Sequence, residues 1–129
     1  MPVVDLRFED GIFFAREADY ISGDDARVWA RHLADYAASS PTPIVALVDA
    51  REVTAISNEA RRVFALASET PNVRVAAVAV NSSNRLATQQ ARITALLSAV
   101  RKSHDTHFFD SLEEAQQFAR EQITPPAYR

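Results

Sequence analysis

The sequence predicts a single α/β domain: a mostly parallel sheet of about five strands that begins with an antiparallel hairpin, together with four helices. Three observations support this prediction. Apolar strand-like runs alternate with helical patterns, Asp10-Gly11 separates the first two runs, and the later runs are continuously apolar. Strands that alternate with helices form parallel sheets through right-handed crossovers, and strands without polar alternation are covered on both faces. The predicted order is β-β-α-β-α-β-α-β-α.

The first two strands cover residues 3–8 and 12–15, and the turn between them is a strong local signal. Asp-Gly between apolar runs favours a tight hairpin, because glycine accepts the positive φ of a primed turn. The first helix then begins after Ser22, whose hydroxyl can cap it. Asp24 and Asp25 lie at the positive end of that helix dipole.

The remaining elements follow from the same signals. They are a strand over residues 44–48, a helix over 57–70, a strand over 73–80, a helix over 83–102, a short strand over 106–109 and a last helix. The last helix begins at Ser111, which has the spacing of a capping box with Glu114. We expect residues 1–123 to form the domain and residues 124–129 to be a C-terminal tail.

The composition limits the classes of function. The 129 residues carry a formal net charge of −3, which argues against sequence-independent binding of nucleic acid. The chain has no cysteine and only 2 glycines, so Cys-ligated metal sites and glycine-rich phosphate loops are excluded. No apolar stretch is long enough to span a membrane and no signal peptide is predicted, so we expect a cytoplasmic protein.

No residue pattern predicts catalysis, a cofactor or a metal site. His104 and His107 flank the start of a predicted strand and would point to opposite faces, so they do not make a ligand pair. Acidic pairs such as Glu113-Glu114 lie at helix starts, where the helix dipole accounts for them. We therefore expect a protein that is not an enzyme.

The polar start of the second helix is the first candidate site. Its residues are Ser57, Asn58, Glu59, Arg61 and Arg62, which are candidate contacts for a partner protein. A structural explanation is also available: Ser57 or Asn58 would cap the helix, and Arg61 and Arg62 would form a solvated face paired with Glu59.

A second candidate is the loop after the strand over residues 73–80. In open α/β sheets, ligands bind at the carboxyl edge of the strands, where this loop lies. Asn81, Ser82, Ser83 and Arg85 could hold an anion at the start of the following helix. A capped loop without a ligand explains the same residues.

The element order and the second-helix start together resemble the STAS family, which includes bacterial anti-anti-sigma factors and the cytoplasmic tails of sulfate transporters. In that family an apolar strand is followed by a hydrophobic link and then by Asp-Ser-Ser-Gly, in which a serine accepts phosphate from a partner kinase. Here the strand ends in Asp49, segment 53–56 (VTAI) resembles the link, and segment 57–60 (SNEA) stands on the tetrapeptide. Glu59 occupies the usual acceptor position, so the chain is more similar to the STAS/SEC14-like branch that lacks the acceptor serine.

The resemblance implies a regulatory or protein-interaction domain resembling anti-sigma-factor antagonists. Its partner would be a kinase, an anti-sigma factor or a sensor, and the family resemblance is also compatible with a homodimer. Ser57 would be a shifted phosphorylation site. Glu59 would hold a fixed negative charge where the family adds a phosphate, or would only stabilise the helix start, by about 0.3–1 kcal/mol.

A small-molecule or lipid-binding STAS/SEC14-like domain is the alternative hypothesis. Its pocket would lie under the carboxyl edge of the sheet and would be lined by Phe13, Phe14, Trp29, Phe64 and Phe108. The same residues would otherwise form an ordinary core. An enclosed apolar cavity favours the binder, and a filled core favours the interaction domain.

Overall fold

The computed structural model describes residues 3–81 and 105–123. The strands are β1 (Val3–Glu9), β2 (Ile12–Ile21), β3 (Ile44–Ile56), β4 (Val73–Ala79) and β5 (Asp105–Phe109), and the helices are α1 (Gly23–Ser39), α2 (Asn58–Ala67) and α3 (Leu112–Ile123). The helix predicted over residues 83–102 and the predicted tail over 124–129 lie outside the described residues.

One five-stranded sheet, in the order β1-β2-β3-β4-β5, joins the strands. β1 is antiparallel to β2, and the other neighbouring strands are parallel, as the sequence predicts. The hairpin turn is formed by Asp10 and Gly11, whose φ angles are 54° and 82°. Positive φ at both central residues is the requirement of a type I′ turn, which explains why Asp-Gly predicts the hairpin.

The described helices lie on both faces of the sheet. α1 and α2 cover one face, where Phe13, Leu33 and Ile44 are fully buried in one apolar cluster. On the other face, Ala115 and Ala119 of α3 pack against the sheet. Successive residues of a strand point to opposite faces, so β3 contributes alternate side chains to each cluster. The continuously apolar sequence of β3 is therefore explained by burial on both faces.

Three elements, β2, β3 and α2, end at residues well away from those predicted from the sequence. The third strand does not end at Asp49, because β2 is longer than predicted and its last residue, Ile21, pairs with Ile56 at the end of β3. The segment 53–56, predicted as a link, is thus the end of a strand. α2 ends at Ala67 rather than Thr70, because the backbone N–H of Thr70 donates to the carbonyl oxygen of Ala67 at 3.0 Å and closes a turn.

Candidate functional site

The starts of α1 and α2 lie side by side at the carboxyl end of the sheet. β2 and β3 end as a pair, and each strand runs directly into the next helix. The backbone N–H of Ser57 donates to the carbonyl oxygen of Ile21 at 2.9 Å. This hydrogen bond joins the residue before α2 to the end of β2, so the two helix starts have a fixed relative position. We call this region the α1–α2 junction.

Serine residues cap both helices of the junction. Ser22 forms a capping box with Asp25: its Oγ accepts from the backbone N–H of Asp25 at 3.2 Å, and its own N–H donates to Oδ2 of Asp25 at 2.9 Å. For α2, the backbone N–H of Ala60 donates to Oγ of Ser57 at 3.0 Å. The cap of α2 is therefore Ser57 and not Asn58. Both caps satisfy backbone donors that a helix start leaves without partners.

Glu59 lies on α2 and contacts two residues of α1. One of its carboxylate oxygens lies 3.2 Å from the guanidinium of Arg27 on α1. Its side chain also lies directly against Gly23, since a Cβ added at position 23 would be 1.9 Å from Oε1 of Glu59. The ion-pair partner is thus on α1, and the predicted pairing with Arg61 and Arg62 on the same helix is not what the structure shows. A carboxylate here lies near two positive helix ends.

The other predicted residues of this site lie on α2. Asn58 and Arg62 are exposed, and Arg61 donates from Nη1 to Oδ1 of Asn58 at 3.1 Å. Sequence reasoning missed Leu66, which is 63% exposed. Positions 59, 62 and 66 share one helix face at helical spacing, a signal that the sequence contains. The structure thus brings all five predicted residues together and adds Leu66 to them.

The second candidate loop is only partly described. Asn81 is exposed and follows Val80, whose backbone N–H donates to the carbonyl oxygen of Phe109 at 2.8 Å. Ser82, Ser83 and Arg85 lie outside the described residues. The anion site at this loop therefore stays a prediction.

A buried carboxylate lies on the α3 face of the sheet, on β3. Asp49 is 4% exposed and accepts from Nε and Nη2 of Arg51 at 2.8 and 2.9 Å. Burial raises the pKa of Asp49, but the hydrogen bonds and charge of Arg51, with a contribution from Arg16, hold that pKa below its ordinary value. A carboxylate with both oxygens bound in this way is a structural group and not a free base.

A second buried carboxyl group lies on β2. Glu17 is 4% exposed, and burial, with a smaller contribution from the negative charge of Asp25, raises its pKa to about 7. Glu17 is not among the residues predicted from the sequence. The signal was the period of two along β2, because Phe13 and Ala15 are fully buried and the same alternation continues to position 17.

The residues predicted to line a pocket under the carboxyl edge are divided between the two faces. Phe13, Trp29 and Phe64 pack on one another, with ring centroids of Trp29 at 6.0 Å from Phe13 and 5.5 Å from Phe64. Phe14 points to the opposite face, where it lines a cleft of about 370 Å³ between α3 and the hairpin. This cleft lies at the amino end of the parallel strands. Its lining is Arg7, Glu9, Asp10, Ile12, Phe14, Leu47, Gln116, Arg120 and Ile123.

Within residues 3–81 and 105–123, no group of three or more acidic or histidine side chains is placed to hold a metal ion. His107 instead packs on Phe118, with ring centroids 4.7 Å apart. The helices of the same described ranges include none that is long and apolar enough to cross a membrane.

The fold is similar to two solved structures, whereas no family model and no curated protein matches the sequence. One is an uncharacterised protein of the DUF3478 family with a SpoIIAA-like fold from Shewanella loihica, with 16% identity, a TM-score of 0.62, and coverage of 89% of this chain and 90% of the other. Another is an anti-sigma factor antagonist from Mycobacterium paratuberculosis, with 15% identity, a TM-score of 0.57, and coverage of 89% and 91%. The chain therefore has the STAS-like fold that its element order predicts.

Proposed function

We propose that this domain is a non-catalytic regulatory module that recognises a partner protein through the α2 surface, which we define as Asn58, Glu59, Arg61, Arg62 and Leu66. The exposure of Leu66 is the observation that carries the proposal, because this large apolar side chain is 63% exposed on the same helix as the exposed polar residues Asn58, Glu59 and Arg62. The similarity to an anti-sigma factor antagonist is consistent with it, although that similarity concerns the fold.

The chemistry of the α2 surface indicates what a partner would present. Arg62 is exposed, and no ion pair to it comes from residues 3–81 or 105–123. Leu66 lies one turn further along the same face. A partner would match this pair with an apolar pocket next to a carboxylate, and interfaces commonly depend on a few such anchor residues. A kinase, an anti-sigma factor or a sensor is the expected partner, and a second copy of this chain is the alternative.

Glu59 would act in this function as a fixed charge. Its carboxylate is held between Arg27 and Gly23, so its position does not depend on the partner. Phosphate on Ser57 would add about −1.5 to −2 charges close to Glu59 and would compete for Arg27. The hydroxyl of Ser57 is also the cap of α2, so its modification would change the start of the helix. Phosphorylation of Ser57 stays a prediction.

Substitution of the α2 surface should abolish partner capture. The variant Glu59→Ala/Arg62→Ala/Leu66→Ala removes the fixed charge, the exposed cation and the apolar anchor while leaving the buried face of α2 intact. We expect immobilised variant protein to retain its partner at least about tenfold less than the wild type, since loss of anchor residues costs more than about 1 kcal/mol each. Quantitative mass spectrometry of proteins captured from the native cell extract measures this ratio.

A matched control variant changes two residues of α3, on the other face of the sheet. Gln117 and Glu121 are exposed residues of α3 that bond to each other, with 3.1 Å between Nε2 and Oε2. The double variant Gln117→Ala/Glu121→Ala should capture the same proteins as the wild type. The affinity of any protein lost only by the α2 variant is then measured directly with purified components. Equal capture by all three proteins would refute the α2 surface as the recognition site.

The cleft next to α3 favours a second function, the binding of a small amphipathic anion. Its volume of about 370 Å³ is within the range of ligand sites, and its floor is apolar. The guanidinium of Arg7 lies 4.8 Å from the ring centroid of Phe14, so a cation is placed over that floor. A fatty-acid carboxylate would match this arrangement.

Laurate should therefore shift the backbone amide signals of Phe14, Leu47 and Gln116 in an NMR titration. Arg7→Glu should weaken this binding at least about tenfold, because it replaces the attractive charge by a repulsive one. Arg74→Glu is the control, since Arg74 is exposed on β4 and does not line the cleft. If laurate shifts no amide around the cleft, or if Arg7→Glu binds as well as the wild type, this second function is excluded.

A further inference from the structure

Glu17 is a buried carboxyl group in the second half of β2. It is 4% exposed, and no hydrogen bond to its carboxyl group comes from residues 3–81 or 105–123. The register between β2 and β3 shifts between Arg16, which pairs with Asp49, and Ala18, which pairs with Glu52, so the extra residue is on β3 and Glu17 lies opposite this irregularity. Such irregularities redirect a side chain locally, and they are common next to functional sites.

The charge that acts on Glu17 comes from α1. Its Coulombic partner is Asp25, which carries the same sign when both groups are ionised. Several other charged groups of the adjoining elements form ion pairs: Asp5 with Arg7 on β1, Arg16 on β2 with Glu52 on β3, Asp49 with Arg51 on β3, and Asp24 with Arg27 on α1. Glu9 on β1, Asp19 on β2, and Arg31 and Asp35 on α1 are further charged groups of these elements. Asp25 is the one charged group among the causes that raise the pKa of Glu17, so an ionised Glu17 would meet a like charge there.

Asp25 also holds the start of α1 together. Its Oδ2 accepts from the backbone N–H and from Oγ of Ser22 at 2.9 and 2.7 Å. Gly23 follows Ser22 and is buried against the side chain of Glu59. The charge of Asp25 thus acts on Glu17, and contacts lead from Asp25 through the capping box to Gly23 and Glu59. Because Glu59 fits so closely on Gly23, a displacement of the first turn of α1 has to move Glu59 as well.

We propose that ionisation of Glu17 loosens the start of α1 and, through the contact of Gly23 with Glu59, alters the α2 surface, so that one buried carboxyl group regulates that surface. The proton leaves to solvent, and two facing carboxylates then repel each other in a poorly hydrated site. Asp25 moves away from Glu17, and its bonds to Ser22 weaken. For its biological consequence, and only for that, this inference rests on the proposed function of the α2 surface.

Burial raises the pKa of Glu17 to about 7, so the transition falls close to neutral pH. Below that pH the carboxyl group of Glu17 is neutral, and the contacts at the start of α1 are kept. Above it the group is charged and the junction is loosened. A change of internal pH around neutrality would therefore change the geometry that a partner meets.

An NMR titration of the protein alone tests this inference. Between about pH 5 and pH 9, the backbone amide signals of Gly23, Asp25 and Glu59 should shift with a common midpoint near pH 7, together with the side-chain carboxyl carbon of Glu17. In Glu17→Gln, which imitates the protonated group, the common transition should disappear. Glu17→Met is a second neutral variant for the case that the glutamine variant does not fold.

Two features make the outcome decisive. Glu17→Gln changes no other titratable side chain, so a transition that arises from any other group would survive the substitution. Glu9→Gln, at an exposed hairpin position, should keep the wild-type curve. The inference is overturned if the transition at Gly23 and Glu59 persists in Glu17→Gln, or if the Glu17 carboxyl titrates while those amides do not move. No partner enters this experiment, so its failure is distinct from a failure of partner capture.

Discussion

Glu17→Gln should raise the free energy of unfolding by about 3 kcal/mol at about pH 8, and this gain should vanish below about pH 5. Burial, with a contribution from Asp25, raises the pKa of Glu17 from 4.5 to about 7 in the folded protein. A carboxyl group with a raised pKa stabilises the fold while it is protonated. Its contribution is full below the pKa of the unfolded chain and is lost as the pH rises through the folded pKa. Glutamine stays neutral and avoids that loss.

Urea denaturation of both proteins across this pH range measures the effect as a difference of two stability curves. The curves should meet at acidic pH, where both side chains are neutral, and diverge between about pH 5 and pH 8. Glu9→Gln provides the control, because Glu9 is exposed and its substitution should leave the wild-type curve unchanged. A gain that is equal at both ends of the range would mean that packing, and not charge, distinguishes the variant.

Those parts of the fold that depend on local chemistry were predictable from the sequence. Asp10-Gly11 indicates a turn because few residues accept two successive positive φ angles, and the turn has them. Ser22 indicates a helix start because its side chain replaces a missing backbone partner, and it forms the capping box. The true length of β3 was not predictable. Polar residues such as Arg51 and Glu52 interrupt the apolar run, and they remain in the strand because β2 extends beside them, where Ala18 pairs with Glu52.

The candidate site was likewise predictable from the sequence only in part. Ser57 was recognised as a candidate cap, and its role follows from residues close in sequence. The partner of Glu59 was assigned wrongly, because Arg27 lies on another helix and no sequence pattern shows which two helix starts meet. Gly23 was overlooked for the same reason: its lack of a side chain makes room for Glu59, a contact between distant parts of the chain. Local signals thus indicated the cap of the candidate site, and tertiary contacts determine which charges lie beside it.

Arg51→Ala should lower the free energy of unfolding by roughly 1–3 kcal/mol near neutral pH, because it leaves the buried carboxylate of Asp49 without its charged donors. Both carboxylate oxygens lose a donor at 2.8 or 2.9 Å. The guanidinium is 41% exposed, which keeps the expected cost below that of a fully buried pair. Denaturant unfolding of wild type and variant at one pH gives the difference.

The contribution of the Asp49–Arg51 pair to the free energy of unfolding should depend on pH in the opposite sense to the contribution of Glu17. Arg51 helps hold the pKa of Asp49 below its ordinary value, so its contribution is present above the unfolded pKa and is lost as the pH falls through the lower folded one. The penalty of Arg51→Ala should therefore shrink in acid. Arg16→Ala, which removes an exposed pair with Glu52, should leave the free energy of unfolding close to that of the wild type. Equal losses in the two variants would show that burial of Asp49 does not make its pair stronger.

Opposite responses of Glu17 and Asp49 would confine maximal stability to the mildly acidic range between their transitions.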